Sequence, residues 1–85
     1  MGKNKTYMVI EHFAPQNVTA IYDRFRERGR MIPHGLHFVD SWLSADRRRC
    51  FQLMRTADPS LFDKWIERWH DLVEFEIVEI GEKPA

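Results

Sequence analysis

Two apolar helical stripes in this chain are each flanked by segments that read as strands. That order restricts the available folds more than any other feature of the sequence. Val18, Ile21, Tyr22 and Phe25 fall at i, i+3, i+4 and i+7, which is one face of a helix. Asn17 predicts a side-chain cap on the free amides at its start, and Gly29 a left-handed stop at its end. Leu61, Phe62, Trp65, Ile66 and Trp69 make the second stripe. It is opened by Asp58-Pro59, a capping side chain followed by a proline in the first turn. Residues 6–13, 36–44, 49–56 and 75–80 are rich in β-branched and aromatic side chains and read as strands. A loop with Pro33 and Gly35 spans 31–35, a turn around Ala45-Asp46-Arg47 joins the middle strands, and 81–85 is a tail expected to fray.

The order β, α, β, β, α, β predicts an α+β chain of the ferredoxin-like, split-βαβ kind. Right-handed crossovers leave both helices on one face of a four-stranded antiparallel sheet. Its 85 residues allow one domain, 1–85, with its ordered part at about 6–80. So short a chain is marginal alone and leans on cross-links, a metal or a partner subunit. Cys50 is the only cysteine, so no internal disulfide can form, and a reducing compartment is expected.

The strands also predict what covers the second face. A sheet wet on one side alternates apolar and polar residues, and this one does not. With Met8, Ile10, Val39, Leu43, Phe51, Leu53, Phe75 and Ile77 assigned to the helices, the opposite face holds a mixed set. That set is Tyr7, Val9, Glu11, Phe38, Asp40, Trp42, Cys50, Gln52, Met54, Glu76 and Val78. Two helices can cover only one face, and a bare apolar sheet is more than a monomer usually exposes. A second copy packed face to face, as in a dimeric α/β barrel, is the simplest cover. A one-residue bulge would reverse the assignment beyond it.

Charge and hydropathy remove several classes of partner. Lys plus Arg and Asp plus Glu both number 13, so there is no basic excess for nucleic acid. No apolar run reaches the roughly 18 residues of a membrane span. The start, Met1-Gly2-Lys3-Asn4-Lys5, leads straight into a strand rather than a signal core, so a cytoplasmic setting is expected. Met1-Gly2 with Thr6 fits a loose myristoylation pattern and Asn17-Val18-Thr19 a glycosylation sequon, both short enough to arise by chance.

No combination of residues reaches the specificity of a catalytic or metal signature. His34 and His37 lack a third ligand nearby, so no metal and no cofactor are expected. Glu11 and His12 are weak candidates for a proton acceptor, and as strand neighbours they face opposite ways. Cys50 reads first as a small buried hydrophobe, although Arg47-Arg48-Arg49 nearby could activate a thiol. The arginines themselves read as a solvated hairpin tip. Trp65 and Trp69 read as the ridge packing the second helix on the sheet. His70 carries no signal of its own. Apolar walls with a few polar groups describe a small-molecule pocket. Glu11, Asp40, Trp42, Cys50 and Gln52, polar or polarisable on the face opposite the helices, are its expected lining.

Several stretches resemble a family of small, mostly bacterial proteins catalogued as domain of unknown function 3303. They are Tyr7-Met8-Val9-Ile10-Glu11-x-Phe13, Tyr22-x-Arg24-Phe25-x-x-Arg28-Gly29-Arg30, Ser41-Trp42, Cys50-Phe51-Gln52-Leu53-Met54 and Trp65-x-x-x-Trp69-x-Asp71-Leu72. The resemblance implies the dimeric α/β-barrel superfamily and no particular activity. Relatives in that superfamily include cofactor-free and haem-degrading monooxygenases and isomerases, which share fold and pocket position more than residues. The leading expectation is a homodimer binding a small molecule. The alternatives are a monooxygenase-like oxidoreductase acting on an aromatic or quinol substrate, and a structural or regulatory interaction module.

Overall fold

The computed structural model describes residues 3–84; Met1 and Gly2 of the myristoylation pattern, and Ala85 of the tail, lie outside them. Strand β1 (Lys5–His12) is followed by a 3-10 turn (Pro15–Asn17) and helix α1 (Val18–Arg28). Strands β2 (Leu36–Leu43) and β3 (Arg49–Thr56) form a hairpin, and helix α2 (Leu61–Glu67) leads to β4 (Glu74–Ile80). The strands make one antiparallel sheet in the order β2-β3-β1-β4. This is the ferredoxin-like α+β arrangement.

The helix ends differ from their sequence reading in mechanism. Asn17 does not cap α1 with its side chain; Pro15 has already wound the chain into the 3-10 turn, and Asn17 Nδ2 instead donates to the Leu72 carbonyl at 3.3 Å. Gly29 does stop α1 at positive φ (68°), donating to the Phe25 carbonyl at 2.7 Å. Asp58 starts α2 through Ser60: its Oδ1 accepts both the Ser60 amide (3.0 Å) and hydroxyl (2.6 Å). The second stripe outlasts the helix, since Trp69 lies in the turns that follow it.

The sheet faces differ from expectation on β1 and β3. Tyr7, Val9, Gln52, Met54 and Thr56 are buried on the helix side, joined by Leu36 from β2 and by Phe62, Trp65 and Trp69. Met8, Ile10, Phe51 and Leu53 therefore lie on the open face, the reverse of their sequence assignment. Phe75 and Ile77 of β4 pack against the core as expected. On β2 the register shifts between Phe38 and Asp40. Phe38, paired with Met54, is on the helix side, whereas Asp40 and Trp42, paired with Leu53 and Phe51, are on the open one.

The core is lopsided. Trp65 is 1% exposed and Phe62 3%, with Tyr7 edge-on to Phe62 (5.1 Å) and Phe75 edge-on to Trp65 (5.4 Å). No residue of α1 is buried. Helix α2 thus seals its half of the sheet, and α1 is held by polar ties at its edges. Arg24 makes a two-pronged bond to Asp71 (2.7 and 2.6 Å) and donates to the Arg68 carbonyl at 2.9 Å.

Candidate functional site

The stand-off of α1 leaves a chamber of about 200 Å³ between that helix, the sheet and α2. An apolar cavity of roughly 150 Å³ is enough to hold a benzene ring. Val18, Ile21, Tyr22 and Phe25, the first helical stripe, form its roof, and Trp65, Trp69 and Val73 one wall. Tyr22 (53% exposed), Phe25 (42%) and Leu43 (43%) are lining residues still open to solvent, so the chamber opens between α1 and the β2 edge.

Its polar groups come from three places. Glu11 on β1 and Cys50 on β3 are direct cross-strand partners, Gln52 follows two residues along β3, and Arg30 arrives from the loop after α1. Gly29 ends the helix, and the Trp65 and Trp69 indole N–H groups both donate to the Arg30 carbonyl, at 3.0 and 2.9 Å. That pins the Arg30 backbone to the core. Its guanidinium lies over Phe38 (3.8 Å to the ring centroid) and Phe25 (5.1 Å). Among the described residues its side chain makes one hydrogen bond, from Nε to Gln52 Oε1 at 3.4 Å, and no ion pair.

Burial shapes the acid–base character. It raises the Glu11 carboxyl above its ordinary range, against the opposing pull of Gln52, the Arg30 charge and Cys50. It also pushes the Cys50 thiol up to about 11, helped by the Glu11 charge, so Cys50 is a poor nucleophile at neutral pH. The hairpin arginines do not reach it: Arg47, Arg48 and Arg49 are exposed, with Arg49 over Phe51 on the open face.

Of the residues expected to line a pocket, the structure brings Glu11, Cys50 and Gln52 together and leaves two out. Asp40 is exposed on the other face, its carboxylate accepting the Ser41 amide at 2.8 Å beside the bulge. Trp42 stands there too, half exposed. His12 also faces away from the chamber, 3.5 Å from Glu76. The pocket lies on the helix side of the sheet because β1 and β3 present the opposite parity to the one assigned. Sequence reasoning missed Arg30 and the roof. Arg30 follows a helix stop and belongs to a stretch that carries the family resemblance but no role, and the α1 stripe has the periodicity of ordinary core.

Among the described residues, no group of three or more His, Cys, Asp or Glu side chains is placed to hold a metal ion. None of their helices is long and apolar enough to cross a membrane.

Fold and chamber together define a ferredoxin-like α+β protein with an apolar, polar-ended cavity between helices and sheet. The chain belongs to the family described as domain of unknown function (DUF3303), whose model matches residues 5–80. No curated protein and no solved structure matches it.

Proposed function

We propose that this protein is a homodimeric small-molecule-binding protein of the dimeric α/β-barrel kind, with its ligand in the chamber beneath α1. The chamber carries the reading: it pairs apolar walls with a few convergent polar groups, the composition of a ligand site rather than of a packing defect. Isothermal titration of the full chain against a panel of one-ring compounds tests it. Saturable binding that is lost when Ile21→Trp fills the roof supports the reading. Titration heats no different from buffer across the panel refute it.

The dimer has its own support. Met8, Ile10, Phe51, Leu53, Val78 and Trp42 share the open face, an apolar surface that water alone would cover at high cost. Arg49 and Arg55 on β3 and Glu76 on β4 place both signs of charge on that face, so a two-fold axis can match it to itself. A second copy is the occupant such a face suits. The free Cys50 thiol fits a reducing, cytoplasmic setting.

The monooxygenase-like alternative draws on Glu11 alone, a chamber carboxyl with raised affinity for protons and hence suited to accept one. Oxygen uptake with hydroquinone as substrate, abolished by Glu11→Gln, supports it, and a rate equal to the protein-free control refutes it.

A further inference from the structure

The chamber's polar end is asymmetric in a way that specifies a ligand. The Arg30 guanidinium carbon lies over the Phe38 ring and near the Phe25 ring, contacts that use none of its N–H donors. Only Nε is engaged, and the Gln52 oxygen that takes it is 3.4 Å away. A planar fork held by two rings and a pinned backbone is already oriented, so a ligand that uses it loses little further side-chain freedom. Carboxylates match that fork with two parallel hydrogen bonds.

The rest of the chamber limits the ligand's body. Ile21, Val73, Trp65 and Trp69 offer apolar surface, and the volume of about 200 Å³ admits one ring with small substituents. Glu11, the neighbouring carboxyl, makes no ion pair with Arg30 among the described residues, so it leaves the fork free. Burial raises its proton affinity, the direction that lessens its repulsion of an anion. Cys50, its thiol pushed up to about 11, brings no negative charge to the space at neutral pH.

We infer that the chamber takes a carboxylic acid built on a single ring, with the carboxylate on the Arg30 guanidinium and the ring between the α1 roof and the Trp65–Trp69 wall. This rests on the chamber being a ligand site, as proposed above.

Titration of the full chain at neutral pH with benzoate and with benzamide, its neutral isostere, separates the two claims. Benzoate is expected to bind roughly tenfold or more tightly than benzamide, the usual yield of a charge-assisted pair over a neutral one. Arg30→Gln should bring the two ligands to similar affinity, with a much smaller loss for benzamide, whose amide oxygen accepts only a neutral hydrogen bond from Arg30. Arg30→Lys, which keeps the charge and loses the fork, should fall between. The indole bonds go to the Arg30 main-chain carbonyl, so both variants keep them, and an unchanged thermal midpoint verifies the fold. If benzamide binds as well as benzoate, or Arg30→Gln binds benzoate like the wild type, the carboxylate inference is overturned and the chamber remains a ligand site. If neither compound binds, both fall.

Discussion

The guanidinium carbon of Arg30 lies 3.8 Å from the centroid of the Phe38 ring, so a loop charge is seated on an edge-strand aromatic. Phe38 is on the helix side of β2 because its partner across the hairpin is the buried Met54. The bulge that follows sends Asp40 and Trp42 to the other side. The stack therefore ties the mouth of the chamber to the strand geometry beside it.

Removing the ring should loosen the fork without emptying the chamber. Phe38→Ala is expected to weaken benzoate binding by about 1 kcal/mol, the scale of a partly exposed cation–π contact. Benzamide affinity should change little. Titration calorimetry of both ligands against the variant checks this, and equal losses for the two would show that Phe38 acts only by packing.

The indole of Trp65 serves core and site at once, being almost wholly buried and bonded to the Arg30 carbonyl. Trp65→Phe keeps most of the apolar volume and should cost about 1 to 2 kcal/mol, a lost buried hydrogen bond plus a small cavity. Trp65→Ala should cost about 3 to 5 kcal/mol. Urea denaturation gives both values, and a Phe variant as damaged as the Ala one would contradict this division.

Two carboxyls should give stability opposite pH slopes. The Glu11 value is raised in the fold, so its contribution is fully present below the unfolded value of 4.5 and is lost as pH rises through the folded value. Asp71, bonded to Arg24, is held down at about 2; its contribution is present above 3.8 and is lost as pH falls toward 2. Glu11→Gln should therefore abolish the first decline and Asp71→Asn the second. Denaturation midpoints measured from acid to neutral pH test both, and variant curves parallel to the wild type would contradict the assignment.

Charge placed on the open face should abolish the proposed dimer. Phe51→Glu with Leu53→Glu places two carboxylates amid the apolar patch while leaving the helix-side core untouched. Sedimentation at micromolar concentration is expected to give a dimer for the wild type and a monomer for the double variant. A wild-type monomer would leave the apolar face without its proposed cover.

The sequence carried the six elements and their order, since stripes, turn residues and the Asp58-Pro59 start are local signals. It did not carry the phase of the strands. Residues 6–13 are apolar on both parities, so alternation there selects neither face. Strand β3 held a usable signal: Arg49 and Arg55 share the parity of Phe51 and Leu53, whereas Cys50, Gln52, Met54 and Thr56 carry no charge. The uncharged set is the one that turns to the helices. The chamber was legible only in part. Glu11, Cys50 and Gln52 group together from the sequence because they are polar or polarisable on one face, a grouping independent of where the helices lie. Arg30 joins them through long-range contacts to Phe38, Trp65 and Trp69, which no spacing in the chain announces.

The most direct measurement is a crystal structure of the full chain grown with 4-bromobenzoate, whose bromine can be located by its anomalous scattering. Expected is a bromine among Tyr22, Phe25, Trp65 and Trp69, with carboxylate oxygens about 3 Å from the Arg30 nitrogens. An empty chamber, or bromine found only on the open sheet face, would contradict a ligand site beneath α1.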